Sequence, residues 1–205
     1  MIKSVVFDLG GVLVPEARDT INSGVAEFLG KTSHELSSRT GDLSQRVHRG
    51  ELSLRDYYEM SLARLSITGI SPEDVVAKHL ELYDKTSLKM NPEILELIER
   101  LRTNDYKVAA ATNTEKEIYK LSSRRGYHEL FDYNFVSVEM GMAKPQYQFF
   151  GKILDELGSR PRETVFIDDF LNNTQRACEV GINGILYENF TKLQIDLRAL
   201  DVNID

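Results

Sequence analysis

The chain has 205 residues, 41% of them hydrophobic and 28% charged, which suits one sizeable core carrying an insertion better than two average domains. Asp and Glu outnumber Lys and Arg 32 to 25, giving a net charge of −7; phosphate-backbone binding needs a basic patch, so the balance speaks against a nucleic-acid partner. Cys178 is the only cysteine, which excludes an internal disulfide framework, and with neither His-x-x-x-His nor Cys-x-x-Cys present a zinc site is not expected.

No apolar run reaches the roughly 18 residues of a membrane span, and the first apolar stretch breaks at Asp8, too early for a signal peptide. A cytoplasmic protein without a membrane partner is expected. Val5, Val6 and Phe7 lead into Asp8, and Leu9-Gly10-Gly11 follows. This is the pattern of a buried strand ending at a carboxylate, with two glycines that let backbone approach an anionic ligand. The period then becomes helical. Ile21, Val25, Phe28 and Leu29 precede Gly30, residues 33–49 are polar and weakly periodic up to His48-Arg49-Gly50-Glu51, and Ser53 caps a run of Leu54, Tyr58, Leu62 and Leu65. Ser71-Pro72-Glu73-Asp74 predicts a further helix start, with Val76, Leu80 and Tyr83 on its buried face. With no strand between residues 16 and about 88, a helical domain over 16–88 is expected to interrupt a core made of 1–15 and 89–205.

Asn91-Pro92 opens the next helix, with Ile94, Leu97, Ile98 and Leu101 on one face. Lys107–Thr112 reads as a second strand, Thr114 and Glu117 as a capping box, and Arg124-Arg125-Gly126 as the end of the helix they open. A third strand over Phe135-Val136-Ser137, a helix carrying Phe149, Phe150, Ile153, Leu154 and Leu157, a fourth strand ending at Asp168-Asp169 and a fifth over Ile185-Leu186-Tyr187 complete the pattern. Short apolar strands alternating with amphipathic helices predict an α/β fold, a Rossmann-like parallel sheet covered on both faces with an all-helical insertion. In such a fold ligands bind beyond the carboxyl ends of the strands.

The polar residues at those ends are Asp8, Thr112 with Asn113, and Asp168 with Asp169; Lys144, before Pro145, lies a short loop beyond the third strand. Carboxylates, a hydroxyl and an ammonium in one crevice supply what phosphoryl transfer through a carboxylate needs: a nucleophile, an oxygen-ligand magnesium site and donors for phosphoryl oxygens. Taken singly each has a plainer reading. Asp8 fits a turn, Thr112 a helix start (although Thr114 suits the cap better), Lys144 an exposed loop and Asp168-Asp169 the opening of a helix at Leu171. Two acids at one buried strand end, however, call for a cation. His34, His79 and His128 read as structural or surface residues, and Cys178 as a buried inert thiol beside Ala177.

In this order Asp8, Thr112, Lys144 and Asp168-Asp169 resemble the four motifs of the haloacid dehalogenase superfamily over the whole chain, and the helical insertion resembles its inserted cap. The run Asp8-Leu9-Gly10-Gly11-Val12-Leu13 is similar to a branch with sugar-phosphate phosphatases and the phosphatase domains of epoxide hydrolases. The resemblance implies a magnesium-dependent hydrolase of a small phosphorylated metabolite, with sugar phosphates as candidates. Asp8 would attack phosphorus to form an aspartyl-phosphate, while Thr112, Lys144 and backbone N–H groups of Leu9 to Gly11 hold the phosphoryl oxygens, with Asn113 nearby. Magnesium would sit on Asp8, the Gly10 carbonyl and Asp169, with Asp168 acting directly or through water and Asn173 behind them. The turn at 50–53 resembles a loop that relatives point into the site, which makes His48 or Arg49 a candidate for substrate recognition.

One position departs from the family. Most of its phosphatases carry a second Asp two residues after the nucleophile, as acid for the leaving group and base for water; here Gly10 stands there. Losing such a group typically costs on the order of 10² to 10⁴ in rate. Three readings stay open: a phosphatase whose ester needs little protonation or whose proton comes from a water, a substrate hydroxyl or a cap residue; a metal-independent 2-haloacid dehalogenase; and a weakly or non-catalytic member that binds a phosphorylated ligand or a protein. Clustered carboxylates repel unless a cation neutralises them, which favours the first.

Overall fold

The computed structural model describes residues 1–86 and 89–205. Its strands are β1 Ser4–Phe7, β2 Lys107–Thr112, β3 Tyr133–Val136, β4 Thr164–Asp168 and β5 Asn183–Leu186. All pair in parallel in the order β3-β2-β1-β4-β5, so the α/β expectation holds. The helices are α1 Arg18–Phe28, α2 Ser33–His48, α3 Leu54–Arg64, α4 Pro72–Thr86, α5 Pro92–Thr103, α6 Lys116–Arg124, α7 Ser137–Met140, α8 Tyr147–Leu157, α9 Leu171–Glu179 and α10 Phe190–Ala199. Among the described residues no helix is long and apolar enough to cross a membrane.

Side chains alternate across the sheet as strand geometry requires. Val5 and Phe7 pack with Ile94 and Ile98 of α5 and with Leu193 and Leu197 of α10. On the other face Val6, Ala109 and Phe166 meet Phe149, Phe150 and Ile153 of α8 and Ala177 of α9. Burying a Phe such as Phe7 or Phe166, each 1% exposed or less, contributes about 1.5–3 kcal/mol. Helices α1 to α4 follow β1 with no strand between them and have a core of their own around Val25, Leu36, Val47, Leu54, Leu62 and Val75. Ile118 of α6 joins that core and ties it to the sheet unit. We propose the cap boundaries 16–88 on this basis; the second, at Leu88, lies outside the described residues.

Capping boxes start α2, at Thr32 with Glu35, and α3, at Ser53 with Asp56. The polar stretch over 33–49 is therefore one helix of 16 residues, with Leu36, Leu43 and Val47 inward. Elsewhere the structure departs from the pattern. The buried face of α4 is Val75, His79 and Tyr83, while Val76 and Leu80 are only half-buried. A wide apolar stripe leaves the helix's rotation open, and a histidine with a partner can be buried. The expected Thr114–Glu117 box does not form: Glu115 is the N-cap of α6, and the Thr114 N–H donates instead to Ser137 Oγ at 3.0 Å. Accordingly β3 stops at Val136 and Ser137 opens α7. Strand β5 stops at Leu186, before Tyr187. Cys178 is exposed rather than buried, because it lies about 100° around α9 from the buried Ala177.

Candidate active site

The first strand is the centre of the sheet, and Asp8 is the first residue beyond its carboxyl end, held there by an N–H bond to the Ile167 carbonyl at 2.8 Å. The following loop is tight. Leu13 and Val14 both donate to the Leu9 carbonyl at 2.9 Å, and Gly11 donates to the Val14 carbonyl at 2.8 Å. Leu9 N–H donates to Asp8 Oδ1 at 2.7 Å and so orients the carboxylate. Gly11 has φ +73°, and a Cβ there would overlap the Asp169 carboxylate; only glycine satisfies both conditions.

Beside Asp8 lies Lys144, 1% exposed. Its Nζ is 2.9 Å from Asp8 Oδ2 and 2.7 Å from Asp168 Oδ2, and it donates to the Ala111 carbonyl at 2.8 Å. Asn113 fixes the Lys144 backbone from both sides, donating to its carbonyl at 2.8 Å and accepting from its N–H at 2.9 Å. Asp168 is wholly buried; Phe170 N–H donates to its Oδ1 at 2.8 Å, and Asn173 Nδ2 donates to both of its oxygens at 3.0 Å. Oxygens of Asp8, Asp168 and Asp169 lie within 4.8 Å of one another.

Burial pushes the Asp8 carboxyl well above its ordinary range; Lys144 opposes this, while Asp168 and Asp169 add to it. Burial, with the charges of Glu16 and Asp168, raises Asp169 to about 6. For Lys144 burial acts downward, but the charges of Asp168 and Asp8 outweigh it and raise the ammonium. Three carboxylates thus face a single ammonium. An all-oxygen donor set with surplus negative charge is what a hard divalent cation such as magnesium requires, so the residues fit that group.

Above these residues a cavity of about 350 Å³ separates the strand ends from the cap. Asp8, Gly10, Thr112, Asn113, Lys144, Asp169 and Asn173 line it, as does His48 from the cap. Other expected residues are not on its wall. Asp168 lies beneath Lys144, Gly11 packs under Asp169, and Arg49 turns its Nε to Glu51 at 2.6 Å. Of the N–H groups expected to face phosphoryl oxygen, those of Leu9 and Gly11 are used inside the loop.

Several wall residues escaped the sequence reading. His48 Nε2 is 3.5 Å from Glu115 Oε1, and the Tyr58 hydroxyl is hydrogen-bonded to His79 Nδ1 at 2.7 Å. Burial acts to raise Glu115, but the hydrogen bond and charge of His48 and the charge of His79 outweigh it and hold the carboxyl at about 2. Burial lowers His79. Glu115 is hidden inside the apparent capping box, and His79 on a helix face read by its apolar residues alone. Glu16 also lines the cavity; its only signal in the chain is a carboxylate just past Val14-Pro15.

Among known families, residues 2–179 match the haloacid dehalogenase-like hydrolases. Flavin mononucleotide hydrolase 1 of Arabidopsis thaliana is 29% identical over 109 residues, 53% of this chain and 44% of that one, so the chain spans less than half of that relative. D-ribitol-5-phosphate phosphatase of Bacteroides thetaiotaomicron is 26% identical over 98% of each chain. The crystal structure of a HAD family enzyme from the same organism superposes with a TM-score of 0.76 at 22% identity, covering 94% of this chain and 98% of that one, a likeness of fold.

Proposed function

This chain belongs to the haloacid dehalogenase-like hydrolase family, and from that premise we propose that it is a magnesium-dependent phosphomonoester hydrolase acting through an aspartyl-phosphate. The observation that carries the reading is the Asp8–Lys144–Asp168 arrangement at the cavity floor, with Asp169 beside it. Asp8 is the nucleophile, its carboxylate aimed by the Leu9 N–H and by Lys144. Thr112 and the Gly10 N–H hold the phosphoryl oxygens, and the Lys144 ammonium, whose three donors face Asp8, Asp168 and the Ala111 carbonyl, acts on them through its charge; Leu9 and Gly11 are already engaged within the loop. Asp8 and Asp169, with the Gly10 carbonyl and the buried Asp168 in support, would hold magnesium, and Asn173 and Asn113 keep Asp168 and Lys144 in place. When bound, magnesium supplies positive charge that keeps these carboxylates ionised and offsets that of the phosphoryl group.

A small phosphorylated metabolite is the proposed substrate, supported by the cavity's size and by the relative named for D-ribitol 5-phosphate; sugar phosphates are the first to try. His48 is the cap residue we assign to substrate contact. The carboxylate cluster also weighs against the dehalogenase alternative, which has no need of a cation. A reducing cytoplasmic compartment is proposed from the lone, exposed Cys178.

The test is phosphate release from sugar phosphates, nucleotides, acyl phosphates and an aryl phosphate, with magnesium and with EDTA. Turnover is expected with magnesium, to vanish with EDTA, and to fall on the order of 10³-fold or more in Asp8→Asn. Halide release from a haloacid in the presence of EDTA, without phosphate release from any ester, would overturn the proposal.

A further inference from the structure

Displacement at phosphorus expels an alkoxide unless a proton reaches the bridging oxygen, and water attacks the phosphorylated carboxylate faster when a base takes its proton. The floor of the cavity has few groups to spare for this. Asp8 is the nucleophile, Lys144 is bonded to Asp8 and Asp168, Asp168 is wholly buried, and His48 faces Glu115. Glu16 is the carboxylate on the cavity wall that none of these roles uses.

Its position follows from the tight loop. The bonds from Leu13 and Val14 to the Leu9 carbonyl, and from Gly11 to the Val14 carbonyl, turn the chain back on itself. Glu16 therefore comes to lie against Gly10. A Cβ built on Gly10 would stand 3.2 Å from Glu16 Oε2, and apart from its own chain neighbours it would meet only that side chain within 4 Å among the described residues. The Glu16 carboxylate borders the space into which a side chain at position 10 would grow, and the missing side chain makes room for it. The Arg18 N–H donates to Glu16 Oε1 at 2.6 Å, which leaves Oε2 toward Gly10. The Arg18 guanidinium lies 4.9 Å over the Phe170 ring, next to Asp169, so this turn is anchored to the start of α9.

We propose that Glu16 is the proton-transfer residue of this site; the inference rests on the phosphatase reading. As Asp8 Oδ bonds to phosphorus and the ester P–O bond breaks, the Glu16 carboxyl gives its proton to the departing oxygen. The resulting carboxylate then takes a proton from the water that attacks phosphorus. The Asp8–phosphorus bond breaks, phosphate leaves and Glu16 is protonated again. The residue stands on the segment entering α1, so the group absent at position 10 is supplied from the junction with the cap.

The experiment compares kcat/KM for an alkyl phosphate and for p-nitrophenyl phosphate, whose nitrophenolate leaves without a proton, in the wild type, Glu16→Gln, Glu16→Ala, and Glu16→Ala combined with Gly10→Asp. Because kcat/KM reports the steps up to loss of the leaving group, Glu16→Gln is expected to lower it on the order of 10²-fold for the alkyl ester and less than about tenfold for the aryl ester. Retained aryl kcat/KM shows the variant to be folded. The double variant is expected to recover at least about tenfold of the alkyl-ester loss seen in Glu16→Ala. An equal fall on both esters, or no fall on either, while the wild type releases phosphate, overturns the role of Glu16 alone. A wild type that releases phosphate from neither ester overturns the phosphatase reading and this inference with it.

Discussion

At the strand ends Lys144 is bonded to Asp8, Asp168 and the Ala111 carbonyl, and Asp168 receives further bonds from Phe170 and Asn173. Across the cavity His48 and Glu115 stand 3.5 Å apart, and His48 Nδ1, His79 Nε2 and Glu117 Oε2 are buried without hydrogen-bond partners among the described residues. Both groups are polar and at least half-buried, yet they are built on different foundations. The first hangs on neighbouring parallel strands, whose backbone ladder fixes where Asp8, Thr112 and Asp168 emerge. The second draws His48 from α2, His79 from α4 and Glu115 from the start of α6, so it exists only while the cap is docked. Under the proposed function, rigid geometry suits the group assigned to the chemistry, and dependence on docking suits the group assigned to the variable part of a substrate.

The largest effect that would break this contrast is at Lys144. Lys144→Ala leaves two buried carboxylates without their counter-charge, and is expected to destabilise the metal-free protein by about 3–5 kcal/mol and lower its Tm by roughly 10 °C. Calorimetry showing a Tm within about two degrees of wild type would mean that the strand-end group is not held by that ammonium.

A smaller effect probes the cap side through pH. The Glu115 carboxyl sits at about 2 in the folded protein against 4.5 ordinarily. A depressed carboxyl contributes stability that is present above its unfolded value and lost as pH falls through the folded one. Glu115→Gln should therefore be less stable than wild type near pH 5, on the order of 2 kcal/mol, with the gap closing between about pH 4.5 and 2. Urea unfolding across that range checks it; a gap independent of pH would remove the His48–Glu115 interaction from the account.

Smallest is Tyr58→Phe, which deprives buried His79 of its Nδ1 partner and is expected to cost about 1 kcal/mol in urea unfolding. This residue and Lys144 share no hydrogen-bond partner, so the two losses should add to within about 0.5 kcal/mol. A larger coupling would show the two groups to be one network.

The contrast also explains what was legible in the chain. Asp8, Thr112, Lys144 and Asp168-Asp169 stand where apolar strand runs stop or one short loop beyond, and a period of two is enough to find such positions. His79 and Glu115 give no such mark, since their meeting depends on how α4 is rotated and how the cap sits on α6, and periodicity carries neither. Thr114 and Glu117 imitated a capping box because their spacing is right, although Ser137, brought near only by the fold, takes the Thr114 N–H. Glu16 was illegible for the same reason: three backbone bonds of the 8–14 loop, and no pattern of residue types, bring it to Gly10.

The aspartyl-phosphate is tested most directly by quenching the wild-type protein in acid during turnover with magnesium and mapping covalent phosphoryl groups on its peptides. One hydroxylamine-labile phosphoryl group is expected on the peptide that contains Asp8, and none in Asp8→Asn. A phosphoryl group on any other residue, or steady turnover that never phosphorylates Asp8, would contradict it.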